Sequence, residues 1–414
     1  MAGRLRWMLA LLAVLALVAT ACGSSDDGGD DAAAGTDDAP AEETEEPAGE
    51  EEELGEPIRI GIVSSTSGLL ASYGNQYVEG FEIGLDYATG GTGVVAGHPL
   101  EVTFHDDAAD AEQATSIATD LVGQGYKILA GSVSSAAALQ MGPFAAENQI
   151  LFISGPAAAD AITGLNRYTF RSGRQTWQDV QTAAEILGDV SGKKVLVFAQ
   201  DYAFGQANAA AVQAVLGDAG GATVESVLVP LDTNDFTPFA RRVVDANPDL
   251  LFTAWAGETA PAMWQSLDQQ GVFDATTVVT GLDQRASYDT AFGETADKID
   301  FLSHYFVEAA DNEANDFLEE NVSGAADLFT PDGFVAAQMI VHAIEEAGGG
   351  DDVDALIAAL EGWTFDAPKG TQTIRAEDHA MIQPMFQARL TGSTPELVEV
   401  MGAEAVAPPA GSFE

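Results

Sequence analysis

Hydroxyl-bearing residues gather at two points where a short apolar run of the sequence ends. Residues 64–67 read Ser-Ser-Thr-Ser after the run that begins at Ile58, and residues 132–135 read Ser-Val-Ser-Ser after the run KILAG. The second group opens a predicted helix, whose first backbone N–H groups are free and lie at the positive end of its dipole. Such a turn can bind a carboxylate. Ordinary N-capping by Ser134 or Ser135 is the alternative that the sequence leaves open.

These turns follow segments whose patterns alternate between strand and helix. The apolar run at Ile58 is typical of a strand buried on both faces, and residues 78–88 carry apolar side chains spaced three, four and three apart, as on one helix face. The alternation continues to residue 154 and begins a second βαβ series after Arg174. Two such series predict an α/β fold of two doubly wound, parallel-sheet lobes. Ligands of such sheets sit beyond the carboxyl ends of the strands, where the turns at 64–67 and 132–135 fall.

The sequence carries no pattern of enzyme chemistry. It has neither a P-loop nor a nucleophile elbow, and no two histidines are four residues apart. Residues 91–96 fit a dinucleotide fingerprint but lie between a helix and a strand, which is the reverse of the required order. We interpret Asp106 and Asp107 as caps before a helix rather than as metal ligands. We therefore predict a protein that is not an enzyme and has no metal and no cofactor.

The charge excludes further classes. The 414 residues include 16 Lys and Arg against 65 Asp and Glu, a formal charge of -49. No surplus of cations is left to bind phosphates, so nucleic-acid binding and electrostatic docking on an anionic membrane are disfavoured. The single cysteine, Cys22, excludes a disulfide within the chain. From residue 58 onward, 14 bases face 50 acids, a charge of -36, which we interpret as adaptation to salty surroundings.

Residues 1–22 resemble the signal of a bacterial lipoprotein. Arg4 and Arg6 precede an apolar run from residue 7 to residue 18, which is too short to cross a bilayer, and small residues lead to Cys22. The resemblance implies export, cleavage and lipidation of Cys22. An incidental thiol in a cleaved peptide is the alternative. Residues 23–57 hold fifteen acids, no base and one large apolar residue, Leu54, and we expect them to form a disordered acidic tether.

A set of further segments, in order along the chain, resembles the type I periplasmic solute-binding proteins, in their Leu/Ile/Val-binding branch. The resemblance runs from Ile58 to about Leu390. The matching segments are the small turn ending in Tyr-Gly at 64–74, GGTGVVAGHPLEVTFHDD at 90–107, GSVSSAAA at 131–138, FISGPAAADAIT at 152–163, RYTFRSG at 167–173, DYAFG at 201–205 and TIRAEDHA at 373–380.

The resemblance implies a ligand site between two hinged lobes. An amino acid's carboxylate would meet hydroxyl and backbone groups of the first lobe, and its ammonium would meet Asp283 of the second. Aromatic side chains would enclose the rest of the ligand. The residues implied at the carboxylate are Ser134, Ser135, Pro156, Ala157 and Ala158. The implied aromatic residues are Tyr73, Tyr202, Phe204 and Trp255.

Three departures from the family's pattern keep a second ligand class open. Ala158 stands where the family commonly has threonine, and Arg285 lies close enough along the chain to neutralise Asp283. We interpret Arg171 and Arg174 as members of surface or hinge salt bridges, with entry into the cleft as the alternative. An aromatic or other organic acid without an ammonium would suit Arg174 there.

The family implies lobes of residues 58–175 with 306–366 and of residues 176–305 with 367–414, joined by three crossovers. We expect a monomer, exported and anchored by its lipid on the outer face of the membrane. It would deliver its ligand to an ABC permease and its ATPase. A sensor that reports the ligand to a signalling partner is the alternative.

Overall fold

A computed structural model describes residues 54–413 of the chain. The predicted export signal and most of the predicted tether, including Cys22, lie outside the described residues, and the last four tether residues, 54–57, are exposed. The helices are α1 Ala71–Thr89, α2 Ala111–Gly123, α3 Ser135–Asn148, α4 Thr176–Leu187, α5 Ala203–Val212, α6 Thr237–Ala246, α7 Ala260–Gln269, α8 Val272–Ala275, α9 Glu313–Asn321, α10 Thr330–Ala347 and α11 Val353–Leu360. The strands are β1 Ile58–Ser64, β2 Val94–Val95, β3 His98–Asp106, β4 Ile128–Gly131, β5 Leu151–Ser154, β6 Thr169–Arg171, β7 Lys194–Gln200, β8 Thr223–Val229, β9 Leu250–Ala254, β10 Thr277–Gly281, β11 Ile299–Ser303, β12 Thr364–Ala367, β13 Gly370–Ile374, β14 Met381–Ile382, β15 Met385–Thr391 and β16 Thr394–Met401.

The first large sheet has the strand order β2-β3-β1-β4-β5-β6. All neighbours pair in parallel except β2 and β3. Its central strands are mostly apolar and buried, because helices cover both faces of the sheet. One face packs in a core with α1 and α10, and the other packs against α2 and α3.

The second large sheet has the order β16-β15-β11-β10-β9-β7-β8. The five strands from β11 to β8 are parallel, whereas β15 and β16 are antiparallel additions at one edge. Helices again cover both faces, with α4 and α5 on one and α6 and α7 on the other. The α/β class with two doubly wound lobes is therefore confirmed, although the second sheet is mixed and not wholly parallel.

Helix starts follow local sequence signals. Asp110 caps α2, where its carboxylate accepts hydrogen bonds from the N–H groups of Glu112 and Gln113. Proline occupies the first turn of α6, α7 and α10, where its missing N–H leaves no partner unsatisfied. The prediction that Asp106 and Asp107 cap a helix is wrong. Their carboxylates instead accept hydrogen bonds from the loop after β1, including the N–H of Thr66 and the hydroxyl of Ser65, because β1 and β3 are neighbours that end side by side.

A small antiparallel sheet, β12-β13-β14, packs against the first core. Its turn between β12 and β13 carries Lys369, which forms a 2.5 Å ion pair with Asp332 of α10, and both side chains are completely buried. None of the helices between residues 54 and 413 combines the length and apolar character that a bilayer span requires.

Candidate functional site

Each large sheet has one switch point, where the strand order reverses and the following loops diverge. In the first sheet it lies between β1 and β4, and in the second it lies between β7 and β9. The loops after these strands contain residues 65–67, 132–134, 201–202 and 255–259. A crevice opens at the carboxyl ends of strands at such a point, so the fold brings together loops that are far apart in sequence.

A cavity of about 90 Å³ lies between these two sheet edges and is lined by residues from both. Water-sized voids need only about 10–15 Å³, so this space accommodates a small solute. Of the ten ligand-binding residues predicted from the sequence, the cavity wall contains Tyr73, Ser135, Pro156, Ala158, Tyr202, Phe204, Trp255 and Asp283.

The other two predicted residues, Ser134 and Ala157, lie beside the wall. Ser134 is the N-cap of α3, with its Oγ 3.4 Å from the backbone nitrogen of Ala137. Ala157 is buried in the core formed by α2 and α3, and its N–H donates to the carbonyl of Ser132. Ser134 therefore takes the capping role that the sequence left open.

The first-lobe wall offers hydrogen-bond donors to an anion. Ser135 begins α3, and its hydroxyl oxygen lies 3.3 Å from the backbone nitrogen of Ala159. Helix α3 has fourteen residues, so its first N–H groups and its dipole favour negative charge near Ser135. Ala158 is buried at the same wall and supplies only backbone polar groups.

Arg174 brings a fixed positive charge to this wall. The side chain is 8% exposed, its Nε lies 3.3 Å from Oδ1 of Asp179, and its Nη1 donates to the carbonyl of Pro156. Within residues 54–413 its Nη2 makes no hydrogen bond. Burial raises the pKa of Asp179, and Arg174 opposes that shift. Arg174 thus forms the predicted salt bridge and also lines the cavity.

The salt-bridge interpretation of Arg171 is wrong. Its side chain is buried and donates to the backbone carbonyls of Arg174 and Ala159. Burial lowers the pKa of this guanidinium to about 10. Arg171 therefore ties together the loops that carry Ala159 and Arg174, and it stands behind the cavity wall.

Asp283 lies on the second-lobe side of the cavity, after β10. Its Oδ1 accepts hydrogen bonds from the hydroxyl of Tyr73 at 2.8 Å and from the N–H of Gln284 at 2.7 Å. Burial raises the pKa of its carboxyl. The expectation that Arg285 could neutralise Asp283 is wrong, because the guanidinium of Arg285 forms a two-pronged pair with Glu308 at 3.1 and 3.2 Å.

Aromatic rings form much of the remaining wall. Trp255 stacks on Phe198 with ring centroids 5.5 Å apart and meets Phe236 edge-on, so one face of its ring is fixed by the core of the second lobe. The ring centroids of Tyr202 and Phe204 lie 6.0 Å apart at the start of α5. These rings offer apolar area for an aliphatic or aromatic group of a ligand.

The cavity residues that sequence reasoning missed include Asp179, His304 and Phe329. Phe329 directly precedes α10. Its ring centroid lies 4.9 Å from that of Tyr73 and 5.6 Å from the guanidinium carbon of Arg174. Burial, together with the nearby positive charge of Arg174, lowers the pKa of His304 well below its usual value, so this side chain is neutral. Among residues 54–413, no cluster of three or more His, Cys, Asp and Glu side chains is placed to hold a metal ion.

Residues 57–394 match the family model described as "Periplasmic binding protein". The "Leu/Ile/Val-binding protein homolog 6" of Brucella melitensis is 27% identical over 339 residues, which cover 80% of this chain and 86% of that protein.

Solved structures show the same architecture. An ABC-type branched-chain amino acid transporter from Rhodopseudomonas palustris is 32% identical, covers 86% of this chain and 100% of its own, and superposes with a TM-score of 0.70. A solute-binding protein of an ABC transporter from another strain of that species, crystallised with p-hydroxybenzoic acid, is 25% identical. It covers 84% of this chain and 97% of its own, with a TM-score of 0.76.

Proposed function

The chain belongs to the periplasmic binding protein family, and on this premise we propose that it is the solute-binding component of an ABC importer. It captures a small carboxylate between the lobe built on the first large sheet and the lobe built on the second. Closure of the lobes traps the solute, and the closed protein presents it to a permease and its ATPase. Closure requires a ligand that binds both lobes, because a ligand shifts the open–closed equilibrium only by its differential affinity for the two states.

The proposed solute is an amino acid with an apolar side chain. One observation carries this proposal: the cavity wall holds Arg174 and the start of α3 on one side and Asp283 on the other. The carboxylate of the ligand lies at Ser135, Ala158 and Arg174, and the ammonium lies at Asp283. The apolar side chain lies against the aromatic residues Tyr202, Phe204 and Trp255.

An aromatic or other organic acid is the second candidate. Oδ1 of Asp283 already accepts two hydrogen bonds from the protein, so this oxygen keeps its donors when the ligand carries no ammonium. A benzoate-like ring suits the aromatic wall, and Arg174 supplies the counter-charge. The related protein crystallised with p-hydroxybenzoic acid agrees with this candidate.

A thermal-unfolding screen with three ligand classes separates the candidates. Leucine and phenylalanine carry both charged groups, benzoate and 4-hydroxybenzoate carry only the carboxylate, and phenethylamine carries only the ammonium. A ligand at about 100 times its dissociation constant adds about 2.7 kcal/mol of stability. We expect stabilisation by the amino acids and none by the amine.

Stabilisation by the benzoates alone would contradict an amino acid as the solute and would favour the organic acid, the second candidate. Stabilisation by phenethylamine alone, or by none of a full set of amino acids and organic acids, would contradict capture of a carboxylate. Isothermal titration calorimetry of each stabilising compound then gives its affinity.

We further propose that the protein is exported, lipidated at Cys22 and held as a monomer on the outer face of the membrane. The acidic segment 23–57 lies between the proposed anchor and the binding lobes in the sequence and serves as the spacer between them. Mass spectrometry of the mature N-terminus tests the anchor, and a mature chain that begins beyond Cys22 without a lipid would contradict it.

A further inference from the structure

Tyr73 joins the two lobes directly. It lies on α1 against the first sheet, and its hydroxyl donates to Oδ1 of Asp283 in the second lobe at 2.8 Å. The same hydroxyl accepts a hydrogen bond from the N–H of Gly257, also in the second lobe, at 3.1 Å. Phe329 packs edge-on against the ring and fixes its direction. All donors and acceptors in this arrangement belong to the protein.

A second hydrogen bond between the lobes lies near the first, and here the carboxylate belongs to the first lobe and the donor to the second. Asp327 precedes α10 in the first lobe, and its Oδ2 accepts a hydrogen bond from the N–H of Arg285 in the second lobe at 3.0 Å. The side chain of Gln76 and the N–H of Leu328 hold the same carboxylate from the first lobe. Each lobe therefore supplies one carboxylate to a donor on the other.

The backbones of the two lobes also approach closely here. Gly257 adopts a φ of +83°, and a Cβ at this position would lie 2.6 Å from the carbonyl oxygen of Leu69 in the first lobe. Only glycine accommodates both the positive φ and this contact. The rim of the cavity is thus shaped for contact between the lobes as well as for contact with a solute.

We propose that Tyr73–Asp283 and Arg285–Asp327 form a reciprocal latch that holds the lobes together without any contribution from a ligand. The latch sets the fraction of the protein that is closed before the solute arrives. It rests on the proposed function only in that the lobes open and close. Tyr73 is then a positioning residue for closure, and its effect on affinity is the same for every solute.

The matched variants are Tyr73→Phe and Tyr77→Phe. Both residues lie on α1 one turn apart, both are buried, and both lose only a hydroxyl. The hydroxyl of Tyr77 lies among first-lobe groups, at Gly131 and Ser172, and does not line the cavity. Nitroxide labels at Glu112→Cys and Asp268→Cys, on exposed positions of α2 and α7, report the separation of the lobes in the full chain carrying Cys22→Ser.

Double electron–electron resonance of the ligand-free protein gives the test. We expect a closed population in the parent protein, a shift toward longer distances in Tyr73→Phe, and no shift in Tyr77→Phe. For any solute found by the screen, Tyr73→Phe weakens affinity by about tenfold or more, and by the same factor across solutes.

Two results would overturn the latch: a ligand-free parent protein that is wholly open, or the same distance distribution in Tyr73→Phe as in the parent. An equal shift in Tyr77→Phe would assign the effect to the packing of α1 and would overturn it too. The distance measurement needs no solute, so a failed ligand screen would contradict the proposed function and leave the result on the latch standing.

Discussion

Arg174 and Asp179 form an ion pair at the wall of the cavity, with 3.3 Å between Nε and Oδ1 and both side chains 8% exposed. The carboxylate engages only one edge of the guanidinium, and Nη2 makes no hydrogen bond within residues 54–413. The pair therefore holds Arg174 in place while leaving a donor for a second acid. This arrangement makes the charge of Arg174 available to a ligand that enters the cavity.

We predict that Arg174→Gln weakens binding of a carboxylate ligand by about 2 kcal/mol, since hydrogen bonds to charged groups contribute about 1.5–3 kcal/mol. Asp179→Asn should have the opposite effect, because it removes a negative charge that competes with the ligand for Arg174. Titration calorimetry measures both. Arg167→Gln is the control, since its pair with Asp354 is exposed. Unchanged affinity in Arg174→Gln would remove Arg174 from the site.

Asp283→Asn tests the ammonium end of the cavity. We expect it to weaken the binding of an α-amino acid by about 2 kcal/mol, because the ammonium loses its charged partner. The affinity for a benzoate-type acid should stay almost unchanged, because that ligand carries no positive charge. Asparagine keeps an oxygen that can accept from Tyr73, so closure is retained. Calorimetry with phenylalanine and with 4-hydroxybenzoate gives the two values. Equal losses for both ligands would mean that Asp283 acts on closure alone.

The site was predictable where it lies at strand ends. Apolar runs reveal the strands, parallel pairing gathers their carboxyl ends at one edge, and residues such as Ser135, Tyr202 and Trp255 follow from that rule. His304 was not predicted because the strand before it, β11, was not recognised in the sequence. Asp300 interrupts the apolar run of that strand. Phe329 was not predicted because it lies in the loop between α9 and α10, and the rule of strand ends does not apply to a loop that joins two helices.

The contacts between the two lobes could not be predicted from the sequence, for a different reason. Tyr73 and Asp283 are 210 residues apart, and their hydrogen bond depends on how two lobes meet. Tyr73 was expected as an aromatic wall for the ligand, a role that stays a prediction, but its link to Asp283 had no local signal. Residues 367–414 were expected in the second lobe, but the antiparallel pairing of β15 with β11 and of β16 with β15 was not predicted, since it is set by tertiary structure.

The buried pair of Lys369 and Asp332 is predicted to be essential to stability. Lys369→Met leaves the carboxylate of Asp332 buried without its counter-charge, and we expect a loss of about 3–5 kcal/mol in the free energy of unfolding. Urea denaturation followed by circular dichroism measures this loss. The double variant Lys369→Met, Asp332→Leu should recover most of it, since no unpaired charge remains. A loss of similar size in the double variant would assign the effect to packing.

The charge of -36 from residue 58 onward predicts a dependence of stability on salt. Like charges repel across the folded surface, and raising the ionic strength from about 0.1 to 1 M shortens the screening length from about 10 to 3 Å. The melting temperature should therefore rise with potassium chloride. Scanning calorimetry at several salt concentrations checks this, and a melting temperature that stays level or falls would contradict the adaptation to salt.

Asp327 should give the protein a measurable pH response. Burial raises the pKa of its carboxyl from the ordinary value of 3.8 to about 6, and the neighbouring carboxylate of Asp283 adds to the shift, while the N–H groups of Leu328 and Arg285 and the charge of Arg285 oppose it. Between these two values the folded protein holds a proton that the unfolded chain has released. The contribution of Asp327 to stability therefore falls as the pH rises through this window, and it levels off above about pH 6.

The comparison of the parent protein with Asp327→Asn isolates this response from that of the other acids. We expect the parent to lose stability relative to the variant between pH 5.0 and pH 7.5, as measured by urea denaturation at each pH. Asp235→Asn is a control that should show no change across this range, because the hydrogen bonds from Thr237 lower the pKa of Asp235 and its carboxyl is ionised in both the folded and the unfolded chain. A difference between the parent and Asp327→Asn that stays constant across this range would show that Asp327 is ionised throughout, and that burial at the rim does not hold its proton.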